Sequence, residues 1–131
     1  MYTEDIIISW ENNILLAIKD LSDLQNQNKT WSGKDSNICS SFTETIALLY
    51  DTFDFEEFIV LYKERYGKNK MYDMLLNLDQ LIDNNKNIWY ELEEINDGYL
   101  KILNDKNWVK VTKIATKIVN EYKIKKTNNK L

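Results

Sequence analysis

The sequence predicts an all-α protein, a single-domain bundle of five to six helices, and three observations carry that prediction. No proline occurs in 131 residues, and glycine stands only at 33, 67 and 98, whereas a β-rich chain needs many tight turns. Apolar residues recur at three- and four-residue steps, the period of a helix with one buried face. Capping residues precede several of these stretches. With 44% hydrophobic and 29% charged residues, a chain of this length can bury one core.

The elements follow in order. Thr3 caps a first helix, with Glu4 and Asp5 at its positive end, and its stripe is Ile7, Trp10, Ile14, Ala17, Ile18, Leu21 and Leu24. Residues 25–40 (QNQNKTWSGKDSNICS) read as a polar loop. Ser41 and Glu44 form a capping-box pattern opening a second helix to about Tyr50. Asp54 and Glu57 repeat the pattern for a third, which ends near Gly67. Its inner side is Phe55, Phe58, Ile59 and Tyr62, and Phe53 plugs the corner before it. A fourth helix spans residues 70–83 on Met71, Met74, Leu75, Leu78, Leu81 and Ile82. DNNKN then breaks the pattern, residues 88–95 are a short helix or an extended connection, and residues 96–98 turn. Residues 99–103 add a short helical turn. Asp105 caps the last helix, with Trp108, Val111, Ile114, Ala115, Ile118 and Tyr122 inward. Residues 1–124 form the domain and 125–131 a basic flexible tail.

No stretch approaches the roughly 20 apolar residues that span a bilayer. The opening MYTEDIIISW lacks the basic segment of a signal peptide, and the lone Cys39 has no intrachain disulfide partner. Together these predict a cytoplasmic protein.

Charge is divided along the chain. Residues 1–100 hold 8 Lys/Arg and 19 Asp/Glu, net −11, while residues 101–131 hold 9 Lys and 2 acids, net +7. An acidic body therefore carries a basic last helix and tail.

The absence of histidine excludes His-based acid–base relays and Ser-His or Cys-His nucleophile pairs. One Cys without His builds no zinc site, and no phosphate-cradling glycine motif is present. Carboxylates could act as acid and base, but Glu44, Asp54 and Glu57 have capping roles and no calcium-loop spacing occurs. The expectation is a protein without catalytic residues, metal or cofactor. Cys39 precedes a helix start, where a thiol pKa can fall, and otherwise reads as a half-buried loop residue. Trp31 in the WSGKD loop is either a contact residue or a ring folded back onto the helices. Lys106, Lys110, Lys113 and Lys117 repeat at helical spacing and could follow phosphates, which makes a small regulatory nucleic-acid-binding protein the alternative. The acidic body opposes that, and a solvated face accounts for the row.

Two acidic surfaces remain: Asp51, Asp54, Glu56 and Glu57 with Glu44, and Glu91, Glu93 and Glu94 with Asp97. Tyr50, Phe53, Trp89 and Tyr90 lie near them in sequence. Acidic charge with aromatic anchors suits a basic protein partner, since attraction speeds encounter and rings supply affinity. Asp51, Glu56, Glu93 and Glu94 have no structural role legible in sequence. The candidate partner-binding residues are Asp51, Asp54, Glu56, Glu57, Glu91, Glu93, Glu94 and Trp31.

The stretches SWENNILLAIKDLSD, SSFTETIALLYDTFDFEEF and ILNDKNWVKVTKIATKIV together resemble the immunity proteins of bacterial contact-dependent growth inhibition and related toxin systems. They cover about 40% of the chain. The resemblance implies a cytoplasmic protein that binds one cognate toxin domain and blocks its active site. Such toxins are often basic nucleases, whose phosphate-binding surface an acidic inhibitor can occupy.

Overall fold

The computed structural model describes residues 2–33 and 40–129, the side chains of 125–129 excepted. Every regular element among them is helical: α1 Glu4–Leu21, α2 Leu24–Trp31, α3 Phe42–Ala47, α4 Phe55–Tyr66, α5 Lys70–Glu93, α6 Gly98–Leu103 and α7 Lys106–Asn129. A π-helical turn, Leu48–Thr52, continues α3 and closes with Phe53 N–H on the Leu48 carbonyl at 3.1 Å. No helix among the described residues is long and apolar enough to cross a membrane.

Short polar side chains set the helix starts. Thr3 Oγ1 accepts from Ile6 N–H, Ser41 Oγ from Glu44 N–H, Asn69 Oδ1 from Tyr72 N–H and Asp105 Oδ1 from Asn107 N–H. Each such cap is worth about 1 kcal/mol by satisfying an N–H that has no partner within its helix. Gly67, at φ 77°, ends α4 with its N–H on the Lys63 carbonyl at 2.8 Å.

Four expectations need correction. Residues 25–31 are helical rather than loop, and Leu24 opens their helix instead of ending the first: Asp23 caps α2 through Asn26 N–H at 3.0 Å, and Gln27, Thr30 and Trp31 are its buried side. The seventh helix arises there. DNNKN does not interrupt α5, because Asn85 turns its amide back onto the Leu81 carbonyl at 2.8 Å and holds Asn107 Nδ2 at 3.1 Å. The inner face thus runs on from Ile82 through Asn85 to Trp89, and residues 88–93 belong to the same helix. Asp54 is no side-chain cap: its backbone is left-handed, at φ 50°, and makes no such bond. The helical backbone of α7 extends to Asn129, into the segment assigned to the tail. Cys39, residues 34–38 of the predicted loop, and residues 130–131 lie outside the described residues.

α7 packs lengthwise on α5 and α1. Lys70 meets Glu121 while Asn85 meets Asn107, so α5 and α7 run antiparallel. The core unites Ile14, Phe58, Leu78, Trp108 and Ile118, with Trp10 packed against it. At its centre Trp31, Phe42, Trp89 and Trp108 stand edge to face or tilted, their rings 5.1–6.0 Å apart. Rings in such geometries add roughly 0.5–1.5 kcal/mol per pair beyond area burial.

Candidate partner-binding surface

The π turn and the left-handed Asp54 decide where the acids of YDTFDFEEF point. A π turn carries one more residue per hydrogen-bonded loop than α geometry, and it ends the α3 segment at Phe53. The Phe53 carbonyl accepts from Trp10 Nε1 at 2.5 Å, which anchors the corner to α1. Asp54 then reverses the chain into α4, whose first turn carries Glu56 and Glu57 at the positive end of the helix dipole.

Asp51, Asp54 and Glu56 meet around a cleft of about 300 Å³, together with Tyr50, Lys86 and Tyr90. All three carboxylate residues are exposed, and none makes a side-chain hydrogen bond or ion pair among the described residues. The Tyr50 hydroxyl donates to Asp79 at 2.7 Å. Burial first, then that hydrogen bond and the charges of Asp79, Glu56 and Asp83, push the Tyr50 pKa far up. Lys86 bonds Asp83 at 3.0 Å and lies over the Tyr50 ring. That bond and the Glu56 charge raise its pKa. Tyr90 is raised by burial and, more weakly, by Asp51 and Glu93, against the pull of Lys86. Three carboxylates (Asp51, Asp54, Glu56) thus share the cleft with one ammonium, Lys86, which is itself paired with Asp83, while Asp79 holds the Tyr50 hydroxyl.

Asp79, Lys86 and Tyr90 are absent from the sequence candidates. Asp79, Asp83, Lys86 and Tyr90 follow one another at steps of four, three and four, a single stripe on α5. A break at DNNKN would divide that stripe, so the sequence alone conceals it.

The other candidates divide. Glu57 is exposed on α4 but does not line the cleft. Glu91, Glu93 and Glu94 stand in the last turn of α5 and at its C-cap, the negative end of the helix, with no basic residue in that turn. Glu93 does have a structural role, because its carboxylate accepts the Thr43 N–H at 3.0 Å and the Thr43 hydroxyl, capping α3 from 50 residues away. Glu91 and Glu94 are exposed. Trp31 is a core residue, 8% exposed between Phe42 and Trp108, so its ring presents no contact surface.

Lys106, Lys110, Lys113 and Lys117 are exposed in one row on α7, and none of them forms an ion pair among the described residues. Among those residues, no group of three or more Cys, Asp or Glu is placed to hold a metal ion. The chain matches no protein-family model, no curated protein and no solved structure.

Proposed function

We propose that this chain is an immunity-type inhibitor that binds a basic toxin domain, a nuclease by its chemistry, and covers its active site. It acts in the cytoplasm by occupying a surface rather than by catalysis. The observation that supports this best is the convergence of Asp51, Asp54 and Glu56 on one exposed cleft where, among the described residues, the one cation is Lys86, already paired with Asp83. Like charges gathered on one exposed face repel one another. They do attract a surface built to hold phosphates, and they raise the rate of encounter with it. Glu57 extends the face along α4, and Glu91 and Glu94 give a secondary acidic patch.

The test uses the cognate partner, identified by co-purification or from the neighbouring gene. Reversing Asp51 and Glu56 to Lys should slow association and weaken its salt dependence, with the circular dichroism spectrum unchanged. Equal association rates for variant and wild type at low salt would remove this face from the interface.

The unpaired lysine row of α7 supports the second reading, a nucleic-acid binder. Titration with RNA at two salt concentrations separates the two, because binding through phosphates weakens steeply with salt.

A further inference from the structure

A second hollow, of about 490 Å³, shares Asp54 with the cleft and is lined by Tyr2, Trp10 and Phe53, with Ser9, Asn13 and Thr52 among its polar lining. Among the described residues, no lysine or arginine lines the hollow.

Its features fit one chemistry. The Trp10 ring is pinned: its N–H is committed to the Phe53 carbonyl, and its ring meets Tyr2 and Phe58 edge to face at 5.2 and 5.7 Å. With the N–H occupied, what the half-buried indole can offer a ligand in the hollow is its π electrons, which attract cations. Trp10 is also the one tryptophan outside the fully enclosed core, since Trp31, Trp89 and Trp108 are buried. Asp54 adds the charge. Its left-handed backbone is costly for a residue other than glycine, although Asp and Asn tolerate it best. The cap bond that commonly rewards an acid at this place is missing, which leaves its carboxylate uncommitted. Ser9, Asn13 and Thr52 supply neutral oxygen acceptors.

We propose that this hollow is the seat of one arginine side chain from the protein partner, stacked on Trp10 and paired with Asp54. The inference rests on the reading of the acidic face as a docking surface for a basic protein, and it names the anchor within that surface. A planar guanidinium is weakly hydrated, stacks on aromatic rings and offers five donors in a fixed fork. It uses a ring, a carboxylate and scattered hydroxyl and amide oxygens together, which an ammonium does less well.

The experiment needs no toxin. The full-length chain, labelled with nitrogen-15, is titrated with N-acetyl-arginine amide and, separately, with N-acetyl-citrulline amide, a neutral isostere. The Trp10 indole resonance should move saturably with the arginine probe and hardly at all with citrulline. Asp54→Asn keeps a residue that accepts the left-handed backbone and removes only the charge, so the arginine affinity should fall about tenfold with the spectrum otherwise preserved. Equal responses to the two probes, or undiminished arginine binding by D54N, would overturn the seat.

A second arm separates this inference from the function it rests on. With the partner in hand, weakened binding by D54N supports the seat. Binding that is lost in the Asp51→Lys, Glu56→Lys variant but intact in D54N overturns the seat and keeps the acidic face. Charge-dependent arginine binding in a chain whose captured partner docks elsewhere overturns both the assignment of the seat to that partner and the acidic face as its interface.

Discussion

Trp108 Nε1 donates to the side-chain oxygen of Gln27 at 3.0 Å, in the interior and across 81 residues of sequence. Gln27 is 2% exposed, and its Nε2 donates in turn to the carbonyls of Asp20 and Leu21 at 2.8 and 3.0 Å. One amide thereby satisfies the open C-terminal end of α1 and fastens α2 to α7. Gln27→Leu preserves size while stranding the Trp108 N–H and the Leu21 carbonyl, and should cost about 2–4 kcal/mol in urea unfolding with an unchanged slope. A wild-type midpoint would mean that water reaches and satisfies those groups.

Phe58 and Glu56 lie two residues apart on α4 and should behave oppositely. Phe58 is 4% exposed within the core, and truncation to Ala should cost about 3–5 kcal/mol. Glu56 is exposed, so Glu56→Ala should stay within about ±0.5 kcal/mol. Comparable melting losses for the two would contradict the faces assigned to this helix.

Gly98 opens α6 against the end of α5 with no room for a side chain. A Cβ there would stand 1.6 Å from the Leu92 carbonyl oxygen and 2.7 Å from its carbon, and both are backbone atoms. Gly98→Ala should therefore cost about 3 kcal/mol or more, or displace α6. Thermal unfolding reads the loss, and amide exchange at residues 98–103 would locate it.

Asp20 gives a pH dependence with a definite sign. Burial, and then the neighbouring Asp23 carboxylate, raise its pKa above the ordinary 3.8, with Lys19 opposing. A carboxyl whose folded pKa lies above its unfolded one favours the fold when protonated. Its contribution is complete below the unfolded value of 3.8 and is lost as pH rises through the folded pKa. Asp20→Asn should accordingly raise the melting temperature slightly near neutral pH and leave it unchanged well below 3.8. Destabilisation at neutral pH would show instead that the charged form is held by a partner.

What the sequence conveys, and what it withholds, follows from where each residue finds its partner. Caps act within three residues, so Thr3, Ser41 and Asp105 are readable as helix starts. Apolar stripes need no particular partner, so α1, α4 and α7 are readable as well. α2 is not, because its inner positions carry Gln27 and Thr30, which are buried. The Gln27 side chain reaches Trp108 from far along the chain. DNNKN hides a helix for a similar reason: the partner of Asn85 is Asn107 on α7. At the surface, the acids of YDTFDFEEF are legible as near neighbours, whereas the π turn and the left-handed Asp54 that bring Asp51, Asp54 and Glu56 to one cleft are not. The role of Glu93 is hidden because Thr43 lies 50 residues away. That of Trp31 is hidden because Phe42 and Trp108 come to it only in the folded chain.

The indoles of Trp31, Trp89 and Trp108 come from three helices separated widely in sequence, yet Trp108 lies 5.6 Å from Trp31 and 5.1 Å from Trp89, centre to centre. At such separations the excited states of neighbouring indoles mix, and the rings absorb circularly polarised light as one coupled chromophore. The coupling exists only while α2, α5 and α7 are docked. It will therefore distort a helix content taken from far-ultraviolet dichroism. The same signal distinguishes a chain whose helices have formed from one whose helices have also assembled.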